Sequence, residues 1–217
     1  MSVTPSMISR SGRETTNPCR STLAGQTAVV DDDRRRWDDR YRAAPPAVAE
    51  EPDALSSRPD LRERIPSDGL AVDVACGSGP TTLWLARRGL AVRALDVSPL
   101  AIGLVERAAT IAQVDDRVAA RVVDLDDGLP SDLHDIDVIV CQRFRDPALY
   151  PSFVERLRVG GIAIVTVLSE VGLTTTPGAF HAPAGELFRA FDRPDTEVLH
   201  SIEADGTASI VCRRSTG

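Results

Sequence analysis

The chain has 217 residues, a formal net charge of -7 and a pI near 5.0, and 42% of it is apolar. That length suits one domain with a core of its own. An acidic chain without a basic cluster argues against nucleic acid as a partner, and no apolar run is long enough to span a membrane, so neither nucleic acid nor membrane is expected.

All 25 cationic side chains are arginine. A Schiff-base lysine and a lysine-dependent phosphate loop are thereby excluded. Cys19, Cys76, Cys141 and Cys212 lie far apart and read as reduced thiols, which points to the cytoplasm. His134, His181 and His200 have no metal-ligand spacing with them, so no metal is expected.

Residues 1–30 are rich in Ser, Thr, Arg and Gly, and are expected to be a disordered tail ahead of a domain over 31–217. Asp31, Asp32 and Asp33 suit the start of a helix carrying Trp37 and Tyr41, which are four apart and share one face. Packing alone explains that pair; a lid over a ligand is the functional alternative. Five prolines between Ala43 and Ser67 predict a loop with one short helix near Asp60–Ile65, placed to shape an entrance.

Leu70–Ala75 is an apolar alternating run that meets Gly77-Ser78-Gly79-Pro80 and restarts as a helix through Leu83–Leu85. Strand, glycine turn and helix N-terminus together let a ligand approach the backbone beside free N–H groups. Gly89 closes that helix. A second strand, Ala91–Asp96, ends on an acid about twenty residues past the turn, where dinucleotide folds hold a ribose. Ser98 and Pro99 start a helix to Ala112; strands are predicted at Val118–Val123 and Asp137–Cys141. A helix over Pro147–Leu157 is expected to end at Gly160-Gly161, before a fifth strand, Ile162–Leu168. Strand and helix alternate to this point, which calls for a parallel sheet covered on both faces. A short helix over Pro183–Phe191, a strand over Thr196–Ile202, a turn at Gly206 and a strand over Ala208–Arg213 follow, and the short connection makes the two strands antiparallel. The expected fold is α/β: a Rossmann-like seven-stranded, mostly parallel sheet with helices on both faces and one antiparallel strand near the C-terminus.

The nicotinamide fingerprint needs a third glycine where this chain has Thr82, which weakens an oxidoreductase reading. Instead the strand carries an acid, in the pattern Asp73-x-Ala75-x-Gly77-x-Gly79. With its downstream acids in order, the chain resembles the class I S-adenosylmethionine-dependent methyltransferases over about Arg36–Arg213. Trp37-Asp38-Asp39-Arg40-Tyr41 is similar to a motif of the tellurite-resistance and thiopurine methyltransferase branch.

The resemblance implies S-adenosylmethionine as cofactor and a small molecule as methyl acceptor. It implies that Asp73, Ala75, Gly77 and Gly79 hold the methionine portion, with Ala75 standing where a glycine is usual. Asp96, with Val97 after it, would take the ribose hydroxyls. Asp124 would accept from the adenine amino group, with Leu125 flanking the ring. Cys141 would face the cofactor, and Trp37 and Tyr41 would cover it. Val159 replaces the usual proline of the turn before the fifth strand. Arg143 is the candidate anchor for an anionic acceptor and Asp146 the candidate base, whereas Arg145 reads as an ion-pair residue. An oxidoreductase, and a cofactor-binding sensor or scaffold without turnover, are the alternatives. The acceptor's identity and the oligomeric state are not readable from the sequence.

Overall fold

The computed structural model describes residues 34–216. The expected tail over 1–30 and the capping role of Asp31–Asp33 lie outside the described residues.

The chain enters as a helix over residues 34–41, here α1. The proline-rich entrance forms a 3-10 turn, Asp53–Leu55, and one helical turn, α2 (Pro59–Arg62), with Pro59 in the first turn. The helix therefore sits slightly ahead of the predicted Asp60–Ile65, and the 3-10 turn is additional. Then β1 (Leu70–Val74), α3 (Pro80–Arg87), β2 (Ala91–Asp96), α4 (Pro99–Ile111) and β3 (Val118–Val122) alternate. They are followed by β4 (Ile136–Gln142), α5 (Tyr150–Arg156), β5 (Leu157–Leu168), α6 (Glu186–Phe191), β6 (Thr196–Ala204) and β7 (Thr207–Arg214).

The seven strands form one sheet in the order β3-β2-β1-β4-β5-β7-β6. The first five are parallel to their neighbours, and β7 runs antiparallel to both β5 and β6. This is the expected sheet, with its single reversed strand. Side chains alternate across it. Val72, Ile139, Ala163, Val165 and Ile210 pack under α5 and α6. Ala71, Val138, Val140, Ile164 and Val211 pack under α2, α3, α4 and the 3-10 turn.

The helix expected from Pro147 begins only at Tyr150, and one strand boundary differs more widely. The glycine pair does not precede the fifth strand but lies inside it, because pairing already begins at Ile136↔Leu157 and resumes at Val138↔Ile162. Three extra residues on β5 are absorbed there. Gly160 adopts a φ of +85°, and a Cβ at Gly161 would lie 2.7 Å from the Ile136 carbonyl oxygen. Two strands thus approach too closely for any side chain at Gly161.

Candidate cofactor and acceptor site

The C-terminal ends of β1, β2 and β4 meet at the centre of the sheet. On either side of β1 the chain crosses over in opposite directions, where open α/β sheets carry ligands. The β1–α3 turn is built from three left-handed residues: Ala75 (φ 54°), Gly77 (55°) and Gly79 (88°). A Cβ at Gly77 would stand 2.7 Å from the Tyr41 hydroxyl, and one at Gly79 2.8 Å from Val105 Cγ2. Gly77 thus leaves a backbone cradle facing α1, and Gly79 lets α3 and α4 close together.

No side chain caps α3, and its first turn carries no acid. Its positive end therefore remains available to an anionic group of a ligand, such as the carboxylate of a methionine portion. That opening and the missing Cβ of Gly77 fit the cofactor implied by the sequence.

Asp96 is buried, and both of its oxygens are engaged. Gly77 N–H donates to Oδ2 and Ser98 N–H to Oδ1, each at 2.9 Å. Burial raises its pKa, opposed by the Ser98 and Gly77 N–H groups. The acid at the end of β2 thus braces the glycine turn, in addition to any ligand contact; each oxygen retains a lone pair for a hydroxyl donor. Val97 follows it half-buried.

Asp73 lies beneath the turn, 2% exposed. It accepts from Thr82 Oγ1 at 2.6 Å, and burial pushes its pKa up to about 7 against that hydrogen bond. Thr82 occupies the place of the third dinucleotide glycine and is fully buried. The close helix–strand approach that glycine would allow is replaced by a hydroxyl–carboxyl bond.

The structure brings Trp37 and Tyr41 over this turn. Their rings stack with centroids 6.2 Å apart, and Arg40 lies 5.4 Å from the Trp37 ring centroid. Burial first, then the charge of Asp96, pushes the Tyr41 hydroxyl up to about 12. Ser98 Oγ donates to Asp38 Oδ1 at 2.5 Å, so α1 is pinned to the start of α4 as well. Asp38 stands in the Trp37–Tyr41 motif, but the sequence does not indicate its partner: sixty residues separate it from Ser98, and no local pattern marks the pair.

Asp124 accepts from Asp126 N–H at 3.0 Å and caps a 3-10 turn, Leu125–Asp127; Leu125 is buried. Cys141 sits in the core, 1% exposed, with its thiol against the Phe144 carbonyl oxygen at 3.5 Å. Burial raises the pKa of both Cys141 and Cys76.

The polar residues at the end of β4 and just beyond it diverge. Arg143, at a φ of +61°, pairs with Asp53 at 3.0 Å and joins the entrance to the strand end. Gln142 Oε1 accepts from Asp53 N–H at 3.3 Å, and its amide reaches Thr166, which bonds Ser209 at 2.9 Å in a polar row across β4, β5 and β7. Arg145 grips both oxygens of Glu186 on α6, at 2.8 and 2.5 Å, which is the expected ion pair with a partner the sequence did not indicate. Tyr150 Oη donates to the same carboxylate at 3.4 Å. Asp146 accepts from Ala148 N–H at 2.9 Å and shapes the approach to α5. His181 is used within its own loop, where Gly178 N–H donates to Nδ1 at 2.9 Å.

Residues 71–161 match the family described as "Methyltransferase domain". That match runs from β1 to the glycine pair of β5. The fold is similar to that of solved methyltransferases crystallised with S-adenosylmethionine or S-adenosyl-L-homocysteine. TehB from Haemophilus influenzae aligns with a TM-score of 0.58 and 18% identity over 67% of this chain; the chain spans 57% of TehB's length. Geranyl diphosphate C-methyltransferase from Streptomyces coelicolor A3(2), solved with Mg2+, geranyl diphosphate and S-adenosyl-L-homocysteine, aligns at 0.63 and 15% identity, over 85% of this chain and 98% of that one. The [4+2]-cyclase SpnF aligns at 0.59 and 17% identity, over 73% of this chain and 80% of that one. No curated protein matches the chain by sequence. Among the described residues, no group of His, Cys, Asp and Glu could hold a metal ion. None of the described helices is long and apolar enough to cross a membrane.

Proposed function

We propose that the chain transfers the methyl group of S-adenosylmethionine to a small-molecule acceptor by in-line displacement. The observation that carries this reading is the joint between the uncapped start of α3 and Asp96, closed from above by Tyr41. The bound sulfonium supplies an already electrophilic methyl, so the protein's task is alignment and exclusion of water.

In this reading the turn Ala75–Gly79, underpinned by Asp73, holds the methionine portion, while Asp96 and Val97 take the ribose. Asp124 accepts from the adenine amino group, with Leu125 beside the ring. Cys141 supports the floor. Trp37 and Tyr41 exclude water from above. Arg143, whose side chain is 69% exposed, exchanges Asp53 for an anionic acceptor, and Asp146 takes a proton where the acceptor must lose one. The free, buried thiols of Cys76, Cys141 and Cys212 support a cytoplasmic setting.

Calorimetry tests the cofactor: S-adenosylhomocysteine is expected to bind and NAD is not, and absence of binding by any adenosine ligand would overturn the reading. Turnover is tested with a panel of thiols, oxyanions and phenols. The likeness to SpnF, a cyclase by description, keeps a second reading open: binding without methyl transfer throughout the panel would favour a non-methylating use of the same pocket.

A further inference from the structure

The outer end of α1 takes no part in the reading above, yet it touches the loop that leaves the C-terminal end of β5, at the same edge of the sheet as the glycine turn. The Arg36 guanidinium lies 5.4 Å from the ring centroid of Phe180. Phe180 belongs to the segment between β5 and α6. The feet of that segment are fixed: Ala182 N–H donates to the Leu168 carbonyl at 2.8 Å, Glu170 N–H to the Ala182 carbonyl at 3.0 Å, and Gly206 N–H to the Val171 carbonyl at 2.8 Å. Beyond those feet, residues 172–181 carry little regular structure, and Phe180 remains 56% exposed. In a chain with 4% aromatic residues, a half-exposed phenylalanine seated against an arginine of another element calls for an explanation.

We propose that Arg36 and Phe180 are a positioning pair that joins the cofactor-side helix to the acceptor-side loop, so that seating the cofactor orders the loop over the acceptor. The inference rests on the cofactor site proposed above. One short helix carries all the contacts. Tyr41 lies on Gly77, Trp37 stacks on Tyr41, Asp38 holds Ser98, and Arg36 reaches the loop. Five residues of helix carry a shift at Tyr41 about 7.5 Å to Arg36 without slack. A ligand in the glycine turn presses on Tyr41 and stiffens α1, and the guanidinium face then holds the Phe180 ring. Neither residue contacts the reacting atoms; both act through the segments they join.

Hydrogen exchange on the full chain, with and without S-adenosylhomocysteine, tests this. In the wild-type protein the ligand is expected to slow exchange at residues 75–79 and, through the pair, at residues 172–181. The loop effect should be roughly two- to fivefold, the size an exposed cation–π contact supports. Arg36→Ala and Phe180→Ala are expected to bind the ligand and protect 75–79 as the wild type does while losing protection of the loop, and Phe180→Tyr is expected to restore it. Protection confined to 75–79 in the wild type, or loop protection equal in wild type and both alanine variants, overturns the coupling and leaves the cofactor site standing. Unchanged exchange at 75–79 in the wild type removes the cofactor site itself and the coupling with it.

Discussion

Ala75 and Arg143 share an unusual backbone state. Both are non-glycine residues at positive φ, 54° and 61°, and they leave two strands that pair at Val74↔Cys141. A left-handed conformation costs an L-residue about 1–2 kcal/mol, and strain of this kind gathers at functional sites. Ala75→Gly removes most of that cost but adds chain entropy to the unfolded state, of about 0.5–1 kcal/mol. The expected net gain is up to about 1 kcal/mol, a rise in Tm of roughly 2–4 °C, checked by thermal unfolding. Asp96 carries a second residue-scale prediction. Asp96→Ala strips two backbone donors of their acceptor as well as removing a ligand contact. It should lower stability by about 1–3 kcal/mol in denaturant unfolding, even without ligand. The acids at strand ends were legible in the sequence because their distance from the glycine turn is a local count. The partners Asp38–Ser98 and Arg145–Glu186 were not, because sixty and forty-one residues separate them and only the folded sheet brings them together.

Among the elements, α1 depends most on a single absent atom. Gly77 lacks the Cβ that would collide with Tyr41, whose hydroxyl is the nearest atom at 2.7 Å and whose ring carbon Cζ is next at 3.5 Å. Gly77→Ala is therefore expected to push α1 off the turn and weaken S-adenosylhomocysteine binding. Tyr41→Phe in the same chain should recover part of the loss by removing the hydroxyl alone. Calorimetry on the two single variants and the double variant checks this, and simple additivity would show that Tyr41 does not rest on Gly77. Glu186 joins α6 to two further elements through Arg145 and Tyr150. Glu186→Ala leaves a partly buried guanidinium unpaired and should cost about 1–3 kcal/mol in denaturant unfolding. Element types followed from hydrophobic period, which is why six of the seven strands match within two residues at each end. The fifth did not, because a glycine pair reads as a helix stop, whereas here it serves a bulge whose reason is the carbonyl of Ile136 on the neighbouring strand.

At the scale of the whole molecule, Asp73 ties stability to pH. Its folded-state pKa is pushed up to about 7, above an unfolded value near 4, so between those values the folded state binds more protons than the unfolded one. This group's contribution therefore falls as pH rises from about 4 to about 7 and is level above that. Asp73→Asn should flatten that part of the profile, which unfolding midpoints measured across the range would reveal. The sheet order was not readable from local pattern. Alternation implies parallel pairing, but it does not say that β7 enters between β5 and β6.

That insertion governs the order in which the molecule can be completed during synthesis. β6 leaves the ribosome before β7, yet it touches the rest of the sheet only through β7. Until Thr207–Arg214 has emerged, the long edge of β5, from Ile162 to Leu168, has no strand to pair with. From the synthesis of Leu168 until that of Thr207 the nascent chain therefore carries an open, apolar edge on β5, a point at which a chaperone or an aggregate would find it. Closing the sheet is left to β7.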